Sequence, residues 1–332
     1  MFIHIVGGSG FIGTRLCERF LSSGYSFQIL DKVESSRFPS YTKLGDIRSK
    51  EDLRTCIRDE DEHSVLINLA AEHRDDVRPV SLYEDVNVGG AINLCAIARD
   101  NDVKTIIFTS TVAVYGFAPI GTDELGVISP FNDYGRTKYE AEKVFQAWQA
   151  ESPHQRSLVI IRPTVVFGEQ NRGNVYNLLR QIASGRFVMV GSGENRKSMA
   201  YVENIAAFIQ HSLSFKPGVH IYNYIDKPDF SMNRLVRTVK CILGKSEKIR
   251  FRLPISIGYF IGKVFDFASF LSGKKFAISS IRIKKFCANS VYNTAIENTG
   301  FVAPVKLEKA LNQTIKHEFI EDHSKERVFY SE

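Results

Sequence analysis

The sequence predicts an α/β fold: a doubly wound parallel sheet joined to a smaller, mainly helical part. Three observations lead there. Short β-branched runs alternate with helical patterns through the first half of the chain, as strands covered on both faces by helices require. A glycine-rich turn separates the first strand from the first helix. After Pro163 the alternation breaks, and from Phe230 onward helices and loops dominate.

The elements follow in order. Residues 2–6 read as a strand, 11–23 as a helix and 26–30 as a second strand. Further strands are expected near 64–69, 104–109 and 157–162, with helices at 49–59, 79–99 and 134–150 between them. Connections of this kind are short and right-handed, so a doubly wound sheet is the natural assembly. Beyond it, 167–172 reads as a loop, 174–184 as a helix, and Gly191-Ser192-Gly193 as a turn. A helix at 202–214 and a strand at 219–225 are expected to return to the sheet.

Composition narrows the class. A chain of 332 residues, 44% apolar and 24% charged, has material for a large core. Five scattered cysteines without a Cys-x-x-Cys pair point to a reducing compartment and away from disulfides or a structural metal. Phe2–Val6 starts without a basic region or a cleavage site, so no secretion signal is expected. The net charge is +6, yet residues 245–285 alone carry +8. A basic segment on a near-neutral body suits either a solvated face or an anionic surface.

Gly7-Gly8-Ser9-Gly10-Phe11-Ile12-Gly13 lies between the first strand and helix. Glycine serves the tight turn at Gly7, backbone approach to a pyrophosphate at Gly10, and helix–strand packing at Gly13. Asp31 ends the second strand, 18 residues after Gly13. A carboxylate there accepts from a ribose 2′-hydroxyl and repels a 2′-phosphate, which selects NAD over NADP. The fold is therefore expected to be Rossmann-type. Residues 1–168, with the returning segment 198–226, are assigned to the NAD-binding domain. Residues 169–197 and 227–320 form the substrate-binding domain, and 321–332 a C-terminal tail.

Tyr134 and Lys138 stand four residues apart, on one face of a helix. A phenol with its ordinary pKa near ~10 is a poor base at neutral pH, and a neighbouring ammonium favours its ionised form. Thr111 follows the strand at 104–109, on the side where open sheets bind ligands. Its hydroxyl can hold a substrate oxygen while Tyr134 takes the proton.

These segments resemble, in order, the motifs of extended short-chain dehydrogenase/reductases of the NAD-dependent epimerase/dehydratase family. Gly7–Gly13, Asp31, Gly45-Asp46-Ile47, Asn68-Leu69-Ala70-Ala71 and Asn87-Val88 carry the resemblance, with Ser110-Thr111, Val114-Tyr115-Gly116, Tyr134-x-x-x-Lys138 and Arg162-Pro163-Thr164. It implies tightly bound NAD. Phe11, Ile12, Leu69 and Asn87 would join the glycines around it, and Asp46 and Ile47 would flank the adenine. Ala70 and Ala71 would lie along the pyrophosphate–ribose run, and Pro163 would border the nicotinamide. Sugar 4,6-dehydratases of this superfamily carry an Asp-Glu pair after the threonine. Here Val112-Ala113 stands in that place, which argues against dehydration.

A narrower likeness joins Ala71–Val77, Asn171–Leu178, Lys197–Val202 and Arg282–Ala288. These segments resemble the N-acetylglucosaminyl-diphospho-undecaprenol 4-epimerases of bacterial O-antigen assembly. The resemblance implies interconversion of GlcNAc and GalNAc on a polyprenyl-pyrophosphate carrier through a 4-keto intermediate, with His73, Asn174 and Lys197 as substrate residues. Lys197–Val202 also stands where nucleotide-sugar epimerases carry Arg-Asp-Tyr-x-His-Val, and their Arg-Pro-Gly-Asp element is missing. The Glu72–Asp76 loop reads equally as a sugar contact or as a charged loop pairing Arg74 with Asp75 or Asp76.

Helical spacing over 255–271 places Ile257, Phe260, Ile261, Val264, Phe265, Ala268 and Leu271 on one stripe, with Lys263 and Asp266 opposite. Flanked by Arg250, Arg252, Lys274 and Lys275, it reads as a helix of the substrate domain or one at a membrane interface. The expected partners are a lipid-linked or nucleotide-linked amino sugar and an anionic membrane surface meeting 245–285. No nucleic-acid module is recognisable, and a homodimer is compatible with this reading. The expected location is cytoplasmic, peripheral on the inner face of the bacterial cytoplasmic membrane. The alternatives are a soluble UDP-sugar 4-epimerase and a non-catalytic NAD-sensing regulator, the latter opposed by the intact Tyr/Lys pair.

Overall fold

Strands with apolar side chains on both faces need cover on both sides, and that requirement sets the architecture. The computed structural model describes residues 1–57, 64–74, 77–249, 251–272, 279–323 and 326–330. Seven strands form one parallel sheet: β1 (Phe2–Val6), β2 (Ser26–Asp31), β3 (Thr42–Leu44), β4 (Ser64–Asn68), β5 (Thr105–Thr109), β6 (Ser157–Pro163) and β10 (Gly218–Tyr224). Their order is β10-β6-β5-β4-β1-β2-β3. The chain winds outward from β1 in one direction and from β4 in the other. A crevice therefore opens between the carboxyl ends of β1 and β4, where open α/β sheets bind ligands.

Helices fill both faces. On one, α1 (Phe11–Ser22) and α7 (Val202–Ser212) bury Leu16, Phe20, Ile205 and Phe208 against Ile5 and Ile161. On the other lie α2 (Lys50–Cys56), α4 (Gly90–Asp100) and α5 (Asp133–Ala150), which bury Leu53, Leu94, Phe145 and Trp148. The helix expected at 79–99 is not regular. A short α3 (Ser81–Tyr83) runs into a π-helical turn at Glu84–Gly89 before α4 begins. A Cβ on Gly90 would lie 2.9 Å from the Ile47 side chain, so glycine lets this helix approach the loop after β3.

The smaller part has its own core, built from α6 (Asn174–Ala183), α8 (Met232–Ile242) and α11 (Leu307–Phe319). Against it lies a three-stranded sheet of β7 (Val165–Phe167), β9 (Arg196–Tyr201) and β11 (Asp226–Ser231), in the order β11-β9-β7. None of these strands is legible as a strand in the sequence. Arg196-Lys197-Ser198 opens β9 with polar residues. Pro228 interrupts β11, which pairs irregularly at the sheet edge, where proline is tolerated.

The remaining elements are β8 (Met189–Val190) and β12 (Arg252–Leu253), which pair, and a helical hairpin of α9 (Ile255–Ser272) and α10 (Ser280–Cys287). The side of α9 that faces in is not the apolar stripe read from the sequence, part of which is exposed. Small residues face in: a Cβ on Gly258 would lie 2.8 Å from Val190 Cγ1, and one on Gly262 would lie 2.7 Å from the Ser280 backbone. Asp266 also turns inward and accepts the Ser280 N–H at 3.3 Å, tying α9 to the start of α10. Close helix approach over glycines thus leaves the large apolar side chains outside. Ile257, Phe260, Val264, Phe267 and Phe270 are 47%, 69%, 52%, 62% and 83% exposed. Arg250, Asp75, Asp76, Lys274 and Lys275 lie outside the described residues.

The fit of α1 against the glycine turn gives a stability prediction. A Cβ on Gly13 would lie 2.5 Å from the Gly8 backbone, which cannot yield like a flexible side chain. Gly13→Ala is expected to destabilise the fold by about 1–3 kcal/mol, read as a lower urea midpoint. An unchanged midpoint would contradict this close packing.

Candidate active site

The glycine turn forms because its backbone is pinned to both neighbouring strands. Gly7, at φ +83°, donates its N–H to Leu30 at 2.8 Å, and Leu69 donates to Val6 at 2.8 Å. A Cβ on Gly7 would lie 2.5 Å from the Ala70 nitrogen, so only glycine fits between the two halves of the sheet. The Gly10 Cα is different. Its Cβ would meet only the Gly7 carbonyl at 3.3 Å, leaving open space at the N-terminus of α1, where unpaired N–H groups favour an anion. Asp31 accepts the Ser9 N–H at 3.1 Å and the Val33 N–H at 3.1 Å. Burial nonetheless raises its pKa.

These residues open on a cavity of about 1540 Å³ that runs through the crevice into the smaller part. Gly7, Gly10, Phe11, Ile12, Gly13 and Asp31 line it at the glycine turn. Asp46 and Ile47 line it beside β3, Leu69, Ala70 and Ala71 beyond β4, and Pro163 beyond β6. Arg48 grips the Asp46 carboxylate at 2.6 to 3.1 Å, and these hydrogen bonds hold that carboxyl below its usual range. The open cradle at Gly10, the helix N-terminus and the facing Asp31 carboxylate fit a dinucleotide.

Asn87 stands behind the cavity wall, where its neighbour Val86 is a lining residue. The Asn87 side chain accepts the Glu72 N–H at 2.9 Å and donates to the Glu72 carbonyl at 3.0 Å and the Thr137 hydroxyl at 2.9 Å. It therefore positions the loop after β4 against α5.

Thr111, Tyr134 and Lys138 meet on the same cavity. Thr111 caps a 3₁₀ turn at Val112–Tyr115, accepting the Ala113 N–H at 3.1 Å, which fixes its side chain. Asn132 caps α5 by accepting the Gly135 N–H at 3.0 Å, which sets Tyr134 in the first turn. Burial pushes the Tyr134 phenol up to about 12, opposed by a hydrogen bond with Thr111. Burial brings the Lys138 ammonium down to about 7, opposed by the Glu142 carboxylate. Lys138 Nζ lies 4.1 Å from the Phe108 ring centroid and has no hydrogen-bond acceptor among the described residues.

Beneath this trio lies a buried network that ties the motif residues Ser110, Tyr115 and Arg162 to Glu142 and Asn223, which the sequence did not mark. Glu142 follows Lys138 by one more helical turn and is 0% exposed. It accepts from Arg162 at 2.9 and 2.6 Å and from the Ser110 hydroxyl. Arg162 also donates to the Tyr115 phenol at 2.6 Å, and Tyr115 donates to Asn223 at 2.8 Å. A carboxylate repeating the 134/138 helical interval, and an arginine inside the apolar run of β6, were the available signals.

The proposed substrate residues fare differently. His73 and Asn174 both line the cavity and are exposed, Asn174 at the N-terminus of α6. Lys197 also borders the cavity, but its ammonium donates to the Lys285 carbonyl at 2.8 Å, the Ala288 carbonyl at 2.7 Å and the Ser290 hydroxyl at 3.3 Å. These three bonds make Lys197 an anchor for the end of α10 at the cavity wall. Arg74 pairs with Glu72 at 3.8 Å. The C-terminal segment is more than a tail. Phe329 donates its N–H to Gln170 at 2.8 Å and accepts from Arg172 at 2.7 Å, bringing residues 327–330 to the cavity wall beside Phe11.

Comparison with known proteins agrees with this geometry. The model of the NAD dependent epimerase/dehydratase family matches residues 3–224. Over 99% of both chains the sequence is 47% identical to the N-acetyl-alpha-D-glucosaminyl-diphospho-ditrans,octacis-undecaprenol 4-epimerase of Escherichia coli O157:H7. It is 29% identical to a UDP-glucose 4-epimerase of Vibrio cholerae over 94% of each chain. Among solved structures, the UDP-glucose 4-epimerase of Thermus thermophilus in complex with NAD has the same fold. Its TM-score is 0.74 at 20% identity, covering 96% of this chain and 99% of that one.

The contrast between two glycines yields a binding prediction. Gly10→Ala should fold with a far smaller loss than Gly13→Ala, because its Cβ meets only the Gly7 carbonyl at 3.3 Å, yet lose most NAD affinity by filling the cradle. Titration calorimetry against NAD checks this. Undiminished affinity would remove Gly10 from the phosphate site.

Proposed function

This chain belongs to the NAD dependent epimerase/dehydratase family, and from that premise we propose that it is a 4-epimerase interconverting GlcNAc and GalNAc on a polyprenyl-diphosphate carrier for surface polysaccharide synthesis. The observation that carries the reading is the convergence of Thr111, Tyr134 and Lys138 on the cavity that the glycine turn opens. The glycine turn, Asp31 and Lys138 would hold NAD, which when bound would supply reversible hydride transfer at the sugar C4. Tyr134 takes the proton of the 4-hydroxyl and gives it back. Lys138, when protonated, places a positive charge near the phenol and offers N–H groups to the cofactor ribose, while Thr111 holds the reacting oxygen. Val112 and Ala113 supply no further acid or base for eliminating water.

The proposed division assigns residues 1–168 and 198–226 to NAD, and 169–197 with 227–320 to the substrate. The lipid-linked carrier is favoured over UDP because the relative at 47% identity is named for that substrate, whereas the UDP-glucose 4-epimerase stands at 29%. Such a substrate places the enzyme at a membrane surface. No helix among the described residues is long and apolar enough to cross a bilayer. The exposed apolar face of α9, within a segment of net charge +8, supports peripheral attachment to anionic lipid on the cytoplasmic side.

Both the chemistry and the location can be tested. With GlcNAc-diphospholipid as substrate, the rate should fall as pH drops below about 7, where the buried Lys138–Tyr134 pair becomes fully protonated. Lys138→Met should move that limb upward, because the burial that lifts the phenol is then unopposed by an ammonium. Tyr134→Phe should lose at least ~10²–10⁴-fold of the rate while retaining NAD. Near-normal turnover by Tyr134→Phe, or turnover of UDP-GlcNAc alone, would contradict the proposal. Separately, the protein should sediment with anionic liposomes at low salt and be released by high salt. Replacing the exposed Phe260 and Phe267 by Asp should abolish sedimentation without changing NAD affinity. Equal sedimentation of that variant would exclude α9 as the contact.

A further inference from the structure

Charge is unevenly placed along the cavity. Up to Pro163 its lining carries Asp31, Asp46 and Glu72 balanced by Lys32, Arg48 and Lys138, whereas beyond Pro163 no carboxylate is among the described lining residues. The cations there are Lys197 and Arg327, Arg180 of α6, and Arg282 and Lys285 of α10. α10 is held in place from two sides. Lys197 binds the carbonyls of Lys285 and Ala288 from below. Above, Lys285 Nζ lies 4.8 Å from the Phe131 ring centroid and Lys284 Nζ 4.7 Å from that of Phe117. The two rings stack at 4.9 Å, and Phe131 directly precedes the Asn132 cap of the catalytic helix α5. The basic end of α10 is thus registered against the helix that carries Tyr134.

Past these cations the wall becomes apolar. Val188, Val190, Ile283 and Phe286 line it and offer no side-chain hydrogen bonds to a nucleobase. Val190 and Ile283 are also the side chains that Gly258 of α9 rests on. The far side of that helix exposes Phe260, Phe267 and Phe270. α10 thus joins the cations Arg282 and Lys285, the latter beside Phe131 ahead of the catalytic helix, to an apolar wall that backs onto α9 and its exposed apolar side. A diphosphate next to an isoprenoid chain is the part of a lipid-linked substrate that matches this pairing.

We propose that α10 selects the carrier. Arg282 and Lys285, with Arg180 of α6, hold the diphosphate, and the wall at Val188, Val190 and Ile283 takes the isoprene units next to it and leads the chain out beside α9. This rests on the lipid-linked reading and deepens it by naming the residues that recognise the carrier. Charge-assisted hydrogen bonds to a diphosphate favour arginine, whose planar fork binds two oxygens at once.

The test uses the full chain loaded with NAD. Its substrates are GlcNAc-diphospholipids with a short and a long isoprenoid chain, and UDP-GlcNAc. Arg282→Ala and Lys285→Ala should each raise KM for the diphospholipids by ~10-fold or more, as expected for a lost hydrogen bond to a charged group. kcat should move less, and Arg282→Lys should recover part of the loss. The long chain should give the lower KM, and Val188→Asp should remove that advantage. Retained NAD and an unchanged melting temperature guard against misfolding as the cause. If both alanine variants keep the original KM, or if KM ignores chain length, the carrier site is wrong although the epimerase acts on lipid-linked sugar. Turnover of UDP-GlcNAc with none of the diphospholipids overturns the lipid-linked reading itself, and this inference with it.

Discussion

The Glu142–Arg162 ion pair is the constraint on which the active site rests. It is fully enclosed, with side-chain exposures of 0% and 4%, and joined at 2.6 Å. Removing one partner from such a pair costs about 3–5 kcal/mol, because the other charge is left buried alone. Its geometry explains why a charge pair, and not apolar residues, occupies this place. Glu142 fixes α5, one turn beyond Lys138, and Arg162 fixes β6 beside Pro163. Ser110, bonded to the same carboxylate, immediately precedes Thr111. Three separate segments that each deliver a wall or a reactive group are thereby set relative to one another. Tyr115 and Asn223 extend the network to β10, the edge strand.

That arrangement also accounts for the electrostatics of the trio. Lys138 sits against an aromatic face, where burial disfavours its charge, and Glu142 is the nearby carboxylate that opposes this. Glu142 does so while bound to Arg162, so its pull on Lys138 is partly cancelled. The ammonium is left near neutrality instead of being held permanently charged. Lys138 and the phenol of Tyr134 can then share and pass a proton, which a lysine with its ordinary pKa near ~10.4 would do poorly at neutral pH.

The parallel sheet, its flanking helices and the glycine turn were legible in the sequence because each is a local pattern. Alternating β-branched runs, helical periodicity and glycine spacing do not depend on distant residues. The same holds for Tyr134 and Lys138, which stand on one helix. What was not legible depends on contacts across the fold. Asn87 is adjacent to a cavity residue, but a π-helical turn aims its side chain at Glu72 and Thr137. Lys197 lies in a segment read from resemblance as a substrate contact, yet three acceptors from residues 285–290 enclose its ammonium. Helical spacing over 255–271 left two orientations of α9 open, and the close contacts of Gly258 and Gly262, which a hydrophobic stripe does not reveal, settle which side faces in. The role of residues 327–330 depends on pairing with Gln170–Arg172, far away in sequence.

The central claim is that hydride leaves and returns at the same carbon of a carrier-bound sugar, with Tyr134 handling only the hydroxyl proton. The direct measurement uses GlcNAc-diphospholipid deuterated at C4 of the sugar, incubated with the NAD-loaded protein in ordinary water. The account predicts GalNAc-diphospholipid that keeps its deuterium at C4 and takes up no solvent hydrogen on carbon. Product that has lost the label, or that carries solvent hydrogen at C3, C4 or C5, would contradict it.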